Sequence, residues 1–443
     1  MVNGDEKVQV NLNIDESGND YARSRVPIAK RRSLLSLSMV LIGFCISMAG
    51  LYTGAALMSG LNIKNAIIAA VFGNVILTIY SGFVGVMGSR EGVSTSMLIR
   101  HSFGSIGSKI ISVIFAVTLV GWYGYQCGFF GNTIHAMFPN LGFISEPVVA
   151  GIWGGLLMMS TAFIGFKGLS LLSNIAAPAI FIISGIGLAI ASAKIGGWNA
   201  LMALQTGGTI TIGAAITMVV GAFAVGGVIQ PDVTRYAKNS KDSVIATSIG
   251  YIIAHSFVII AGYTMCLVSG NSDVAAAMLL VLGAPALIVL ILAQWTTNDN
   301  NLYSSSLAFS NIVPLPKKKI VIIAGVIATI LGAFGLVNYL TNWLLFLGTG
   351  IPPVAGIMIA DYYILNKGKY NFGKGAAYKK ISVEAFIAWF LAVIVGFGLK
   401  WGISCINSLV VGFAAYYIIK VLFKSLKING DIGKATENEE GLC

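Results

Sequence analysis

The chain has 443 residues, of which 56% are hydrophobic and only 10% are charged, and its formal net charge is +11. An ordinary soluble domain is about 25% charged, so these charges are too few to cover a water-soluble globule of this length. Composition therefore excludes an ordinary soluble protein and predicts a membrane protein. The five cysteines are scattered without CxxC or metal-ligand spacing, which fits small apolar core residues.

The polar N-terminus is followed by a series of long apolar runs. Residues 1–33 show no secretory signal pattern, and we predict a mobile cytoplasmic tail there. A bilayer crossing needs roughly 20 apolar residues. Such runs recur twelve times, at about 34–60, 63–88, 109–137, 147–166, 171–193, 209–230, 243–269, 279–309, 319–338, 341–365, 382–399 and 402–423.

Basic residues predict the orientation of these spans. With a cytoplasmic N-terminus, 25 of the 28 Lys and Arg fall on the cytoplasmic side, and only Lys64, Lys194 and Lys400 fall outside. A wrong count seldom satisfies the positive-inside rule so one-sidedly. The net charge therefore reports topology, not nucleic-acid binding. We expect a multi-pass, monomeric protein of the cell inner membrane, embedded in the lipid bilayer, with both termini cytoplasmic.

Spans one and six contain residues that interrupt helices. Span one reads VLIGFCISMAGLYTGAALMSG, and span six reads VVGAFAVGGVIQPDVTRY. Glycine loosens a helix, and proline removes a backbone donor. Two interrupted helices five spans apart indicate two inverted five-helix repeats, in which unwound backbone near the membrane centre can bind an ion or substrate.

The same repeat pairs span three with span eight, which is unusually polar. Span three contains VGWYGYQCGFF, where Trp122 and Gln126 lie one helical turn apart. Span eight contains QWTTNDNNLY at 294–303, and an Asp at such a depth costs about 2.5–3.5 kcal/mol. A single polar residue there could simply link two helices by a hydrogen bond. The whole cluster favours a cavity, an ion or a partner.

Helical spacing divides the polar residues of span eight between two faces. One face carries Thr296, Asp299, Asn300 and Tyr303, and the neighbouring face carries Thr297 and Asn301. The segment can therefore serve two sites. Lone histidines such as His135 and His255 more often link helices than relay protons.

Other classes of function are less well supported by the sequence. An enzyme would need a catalytic constellation, and the spans contain no HExxH, GxSxG or P-loop motif. We therefore predict no enzymatic activity and no cofactor. A channel would need a filter-like loop between spans, and none is visible. A receptor that binds without transporting would have the same sequence features.

Four motifs together resemble the purine–cytosine permease family of nucleobase:cation symporters over about residues 30 to 420. They are WTTNDN at 295–300, GTGIPPVAGIMIADYY at 348–363, the loop SREGVST…RHSFGSIGS, and VGW ending at Trp122. The resemblance implies an all-α membrane protein with 12 transmembrane helices, broken helices one and six, and alternating access. The implied division is a tail (1–33), two five-helix repeats (34–200 and 201–366), two C-terminal helices (367–425) and a second tail (426–443).

The resemblance also implies a sodium site made of oxygen atoms, which suit a hard cation. The matching residues are Gly43, Ile46, Ala293, Thr296 and Thr297. Three of them contribute backbone carbonyls, and the two threonines contribute hydroxyls. Cytosine permeases carry Asn where this chain has Ala293, so that ligand would be the carbonyl. Asp299 is a candidate for coupling or for support of the site, and it keeps H⁺ as the alternative ion.

A flat heterocycle is the substrate that the resemblance implies, most favourably cytosine. The base is expected to stack between Trp122 and Phe223. The candidates for recognising its polar edge are Gln126, Asn298, Asn300 and the backbone near Gly221. Leu119 and Ala222 replace the Gln and Ser of enteric cytosine permeases, so purines, uracil, hydantoin and allantoin stay open as alternatives.

Overall fold

The computed structural model describes residues 21, 24–164, 166–204, 208, 210–310, 312–313, 315–372, 377–426 and 431–436. Helices make up most of this part of the chain. The helices of the first half are α1 (Leu34–Cys45), α2 (Met48–Met58), α3 (Ile63–Glu91), α4 (Thr95–Phe103), α5 (Ser105–Met137), α6 (Pro147–Ile164), α7 (Phe166–Lys194) and α8 (Trp198–Ala203).

The second half of the chain begins after α8. Its helices are α9 (Ile212–Val228), α10 (Pro231–Thr234), α11 (Ser240–Ser248), α12 (Ser256–Ser269), α13 (Val274–Leu282), α14 (Ala286–Ser310), α15 (Lys317–Ala333), α16 (Leu340–Gly350), α17 (Pro352–Ile359), α18 (Val383–Gly398) and α19 (Ser404–Ser425). Two π-helical stretches, Ile249–His255 and Ala360–Leu365, continue α11 and α17. Short 3₁₀ turns lie at Ile28–Lys30, Gly142–Ser145 and Leu336–Tyr339.

Helix boundaries follow the capping chemistry of the sequence. The Asn62 side chain accepts a hydrogen bond from the Asn65 amide at 2.9 Å and so begins α3. That helix ends at Gly92, whose φ of +69° places it in the left-handed region that favours glycine. Ser33 caps α1 in the same way as Asn62 caps α3.

Length and hydropathy alone identify fewer spans than the twelve predicted. Within the described residues, six helices are long and apolar enough to cross a membrane, or seven if α1 and α2 are taken as one bent span. Shorter apolar helices such as Ile212–Val228 and Val383–Gly398 lie below this length. The chain is therefore a multi-pass membrane protein, while the count of twelve stays a prediction. Predicted span eight is divided, because Gly283 (φ +65°) separates α13 from α14.

Within the described residues, the fold departs from the all-α prediction by including a pair of strands. Two short strands, β1 (Ala377–Ser382) and β2 (Asp431–Thr436), pair antiparallel, with Ala377 opposite Thr436. The prediction missed them because both strands are short and lie outside the apolar runs. Residues 431–436, which belong to the predicted C-terminal tail, are therefore part of a sheet.

The end of the predicted N-terminal tail is packed against the helices. The Val26 side chain is buried, and its amide donates to the Gly92 carbonyl at 2.8 Å. The Arg32 amide donates to the Tyr236 carbonyl at 2.7 Å. Arg25 pairs with Glu91 at 3.2 Å. The mobile tail predicted over residues 1–33 is therefore wrong for residues 24–33, and residues 1–20, 22 and 23 lie outside the described part.

Candidate functional site

The first interrupted helix breaks between α1 and α2. Ile46 (φ −81°, ψ 88°) and Ser47 (φ −132°, ψ 158°) leave the helical conformation, and the two helices meet at an angle of 48°. The Ser47 hydroxyl caps α2 by accepting from the Gly50 amide at 3.3 Å. The carbonyls of Gly43 and Ile46 lie at the C-terminal end of α1, where carbonyls lack helical donors and the helix dipole is negative. This break can therefore present oxygen atoms to a cation.

The second interruption lies within α9. Phe223 has a non-helical backbone conformation, with φ −131° and ψ 16°. The Tyr80 hydroxyl of α3 donates to the neighbouring Ala224 carbonyl at 3.2 Å. Gly221 packs against α16 so closely that a Cβ atom there would overlap the Leu344 carbonyl oxygen. Gly221 therefore makes a close helix contact beside the break, and no side chain larger than hydrogen fits.

A small cavity lies between the two interruptions, and we call it the central cavity. It brings the predicted residues Trp122, Phe223 and Thr297 into one wall. Its lining residues are Phe44, Ser47, Ala49, Leu119, Trp122, Ala222, Phe223, Val225, Gly226, Thr297 and Asn301. These come from α1, the following break, α2, α5, α9 and α14. The central cavity is therefore lined by residues of predicted spans one, three, six and eight.

Thr296 and Thr297 are held by hydrogen bonds within α14. The Thr297 hydroxyl donates to the Ala293 carbonyl at 2.7 Å, and the Thr296 hydroxyl donates to the Leu292 carbonyl at 2.9 Å. Because each hydroxyl hydrogen is engaged, the remaining lone pairs on these oxygens can act as acceptors. Thr297 shares the central cavity with Ser47, which directly follows Ile46. Of the five predicted cation ligands, Thr297 is among the described residues that line this cavity, whereas Gly43, Ile46, Ala293 and Thr296 are not.

The opposite side of α14 contacts α6. Asp299 accepts a hydrogen bond from the Thr161 hydroxyl at 2.5 Å, and the Trp295 indole donates to the same hydroxyl at 2.7 Å. The Asn298 amide nitrogen lies 3.8 Å from the Cys127 sulfur and 3.6 Å from the Met158 sulfur. We call this contact the α14–α6 seam. Among the described residues that line the central cavity, neither Asn298 nor Asp299 is present.

Asn300 belongs to a second small cavity. Its amide nitrogen donates to the Thr296 carbonyl at 2.9 Å. The second cavity shares Phe44 and Gly226 with the central cavity. A third small cavity shares Asp232 and Ser304 with the second and extends to residues 94–96. The three cavities therefore form a series that ends near the packed N-terminal segment.

Asp232 lies where the second and third cavities meet. Its carboxylate accepts a hydrogen bond from the Thr95 amide at 2.8 Å. Burial raises the pKa of this carboxyl, although the nearby Arg235 and the hydrogen bond from Thr95 act in the opposite direction. This contact joins the segment after α3 to α10 across the series of cavities.

Four buried amides of the described residues have an atom without a hydrogen-bond partner, namely Gln126, Gln294, Asn298 and Asn301. Gln126 is fully buried, and neither its amide oxygen nor its nitrogen has a hydrogen-bond partner. Asn301 is 4% exposed, lines the central cavity, and has no partner for its amide nitrogen. Unpaired buried polar groups are rare and point to an absent ligand or water. Asn301 was not among the predicted substrate residues, although its helical spacing from Thr297 could have indicated it.

These features, two interrupted helices around a small cavity in a multi-pass helical protein, define a membrane transport protein. Residues 25–420 match the family model for permeases of cytosine/purines, uracil, thiamine and allantoin. The chain is 33% identical to the cytosine permease of Escherichia coli (strain K12) over 402 residues, which cover 90% of this chain and 94% of that permease. The chain therefore belongs to this permease family, and the resemblance noted in its motifs is confirmed.

Solved structures of two transporters share the fold. Mhp1, a nucleobase-cation-symport-1 family transporter in a closed conformation with bromovinylhydantoin bound, aligns with a TM-score of 0.79 at 20% identity. That alignment covers 90% of this chain and 95% of Mhp1. A Na⁺-coupled sialic acid symporter aligns with a TM-score of 0.64 at 15% identity over 92% of each chain.

Proposed function

We propose that this chain is a secondary active transporter that imports a nucleobase by Na⁺ symport with alternating access. Cytosine is the first candidate substrate. The observation that carries the proposal is the central cavity itself. Trp122, Phe223 and Thr297 line it together with Ser47, which directly follows Ile46 at the break in the first span. A planar guest and a cation can therefore occupy neighbouring positions.

The aromatic residues favour a flat ring. Stacking on such side chains contributes about 0.5–1.5 kcal/mol beyond burial, without distinguishing one ring from another. Hydrogen-bonding groups supply the discrimination, because a polar site rejects analogues that leave it unpaired. Asn301 offers a donor in the cavity lining. Gln126 offers a donor and an acceptor one helical turn from Trp122, although it is not among the described residues that line the central cavity. Cytosine carries both an acceptor carbonyl and a donor amine, which suits this set.

A second candidate substrate is another flat heterocycle of the same kind, namely a purine, uracil, hydantoin or allantoin. The observation that favours it is the position of Leu119 and Ala222. Both line the central cavity. They are apolar at the two places where enteric cytosine permeases are expected to carry polar side chains. A ring with fewer polar contacts along that wall would fit equally well.

Na⁺ is the proposed coupling ion, with ligands from the end of α1 and from α14. We assign the carbonyls of Gly43, Ile46 and Ala293 and the hydroxyls of Thr296 and Thr297. One Na⁺ moving down about 100 mV releases roughly 2.3 kcal/mol, and a tenfold concentration gradient adds about 1.4 kcal/mol. Together they support accumulation of a neutral base by several hundredfold. One cation for each base is therefore sufficient.

H⁺ is the alternative coupling ion, with Asp299 as its carrier. The contact between Asp299 and Thr161 supports a different role, because it joins α14 to α6. We therefore assign Asp299 to holding the helix that presents Thr296 and Thr297. Uptake that depends on pH and is independent of Na⁺ would instead assign Asp299 as the carrier of a coupling H⁺.

The proposed topology retains the predicted twelve spans, with repeats over 34–200 and 201–366. Helices α18 and α19 follow the second repeat. The positive-inside distribution of Lys and Arg supports cytoplasmic termini and an inner-membrane location. We propose a monomer, because each repeat contributes to a single central cavity.

Uptake into proteoliposomes tests the proposal. Purified protein is reconstituted, and radiolabelled cytosine uptake is measured with an inward Na⁺ gradient, with equal Na⁺ on both sides, and with K⁺ in its place. We expect accumulation above the external concentration only with the Na⁺ gradient. Empty liposomes provide the control.

Other results of the uptake experiment would support a different class of membrane protein. Binding without uptake would indicate a receptor, and uptake that stops at equal concentrations would indicate a channel or uniporter. Competition by uracil, adenine, hypoxanthine, hydantoin and allantoin identifies the preferred ring. If none of these rings binds, the nucleobase assignment is wrong.

A further inference from the structure

The Phe223 ring is in contact with rings of other helices as well as with the central cavity. The His255 ring centroid lies 5.0 Å from that of Phe223, at an interplanar angle of 65°. Tyr251 lies at 5.5 Å and 66°, and Phe44 lies at 4.8 Å and 77°. Edge-to-face contacts of this kind favour particular ring orientations. The platform on which a base would stack is therefore fixed by its neighbours.

Two of these neighbours come from a π-helical stretch, Ile249–His255. A π-helix widens the helical turn, and such stretches are frequent at functional sites. Here Tyr251 and His255 both contact the same side chain of α9. The local irregularity therefore serves to direct two rings toward Phe223.

A buried hydrogen-bond chain fixes the orientation of the His255 ring. The Asn74 amide nitrogen donates to the Ser256 hydroxyl at 3.0 Å, and that hydroxyl donates to the Ala70 carbonyl at 3.5 Å. The Asn74 amide oxygen is therefore the acceptor for His255 Nδ1, at 2.7 Å. This pattern places the hydrogen of the imidazole on Nδ1. His255 and Asn74 are both fully buried.

The other imidazole nitrogen makes no hydrogen bond. Nε2 of His255 is buried without a partner in the described part of the chain. It lies near Gly50 of α2, where an added Cβ would be 3.7 Å from it. The hydrogen bond from Nδ1 to Asn74 is therefore what holds this ring, together with packing.

We propose that His255 and Asn74 are positioning residues that hold the Phe223 ring in the wall of the central cavity. This inference rests on the proposed function, because it assumes that a base stacks on Phe223. Asn74 lies on α3, and His255 ends the π-helical stretch between α11 and α12. The pair thus links predicted spans two and seven behind the stacking platform, and it sets the affinity for flat rings without touching them.

A double-mutant cycle with Phe223 tests this inference. Equilibrium binding of radiolabelled cytosine is measured for the wild type, His255→Leu, Phe223→Leu and the double variant. His255→Leu should weaken cytosine binding about 3- to 10-fold when Phe223 is present. On the Phe223→Leu background the same change should have less than about a 1.5-fold effect. The Na⁺ concentration for half-maximal binding should not change.

His135→Leu is the matched control. His135 Nδ1 contacts the Ser145 carbonyl at 3.1 Å at the far end of α5, away from Phe223. Its removal should leave cytosine binding unchanged on both backgrounds. If His255→Leu cannot be purified, Ser256→Ala removes the hydroxyl that orients Asn74. That variant should weaken binding about 2- to 3-fold, again only with Phe223 present.

The possible results distinguish failure of the positioning role of His255 from failure of the proposed function. Equal losses on both backgrounds would show that His255 acts on the protein as a whole, and the positioning role would be rejected. Unchanged cytosine binding in His255→Leu and in Ser256→Ala would reject the positioning role as well. Absence of cytosine binding by the wild type, with no competing ring bound, would instead reject the proposed function on which this inference depends.

Discussion

The two polar faces of α14 differ in whether their side chains bond to another helix. Among the described residues, each face keeps an unpaired buried atom, Oδ2 of Asp299 and Oδ1 of Asn298 in the seam and Nδ2 of Asn301 on the cavity face. In the α14–α6 seam, Asp299 and Trp295 both bond to one hydroxyl, that of Thr161. On the cavity face, Asn301 has no partner for its amide nitrogen. Both faces are buried at similar depth, so burial alone does not distinguish them. The difference indicates that one face links helices and the other is available to a ligand.

The largest expected effect tests the cavity side of this comparison. Trp122→Ala removes a stacking surface that is 5% exposed, and affinity for every ring should fall roughly 10- to 100-fold. Trp295→Phe, in the seam, should change affinity less than about twofold. Binding of radiolabelled cytosine to purified protein measures both. Equal losses of affinity in Trp122→Ala and Trp295→Phe would show that the central cavity and the α14–α6 seam do not differ in their contribution to binding.

The next largest effect concerns the cation. Thr297→Ala removes one proposed oxygen ligand, so the Na⁺ concentration for half-maximal uptake should rise about tenfold. The matched change Thr161→Ala removes a hydroxyl from the seam and should leave the Na⁺ requirement unchanged. Uptake measured over a range of Na⁺ concentrations distinguishes them. If only Thr161→Ala raised the Na⁺ requirement, the ion would instead lie on the α6 side of α14.

The two neighbouring asparagines provide the sharpest form of the comparison. Asn301→Ala removes an unpaired amide from the cavity wall, and cytosine affinity should fall about 5- to 10-fold. In the described part of the chain the Asn298 amide nitrogen approaches only two sulfur atoms, so Asn298→Ala should change affinity less than about twofold. Competition by ring analogues measures both. The reverse order would restore Asn298 as the recognising residue, as the sequence motif suggested.

The smallest effect is expected at Asp299. Asp299→Asn keeps an acceptor for the Thr161 hydroxyl, and uptake driven by Na⁺ should change less than about twofold, with the same pH profile as the wild type. Uptake at pH 5.5, 6.5 and 7.5 with a fixed Na⁺ gradient measures this. Loss of a pH dependence that the wild type shows would identify Asp299 as a proton carrier.

The sequence predicted the membrane class, the family and the helices that surround the cavity. Trp122, Phe223 and Thr297 line one cavity, as the interrupted helices and family motifs led us to expect, while their roles in binding stay predictions. It did not predict which way α14 is rotated. Spacing shows that Asn298 and Asn301 lie on different faces, but only packing against α6 shows which face is covered.

The strands and the packed N-terminal segment were missed for a related physical reason. Both are held by contacts between residues distant in sequence, such as Val26 with Gly92. Hydropathy and helical periodicity contain no information about such pairs.

The shared wall between the central and second cavities has a consequence for kinetics. Phe44 borders both spaces, so a turn of one ring could join them without moving a helix. Side-chain rotations are faster than collective helix motions, which take microseconds to milliseconds. Under the proposed alternating-access cycle, discharge of the guest along this series can therefore be brief, whereas the return of the empty carrier, which requires whole helices to reorient, would set the turnover rate.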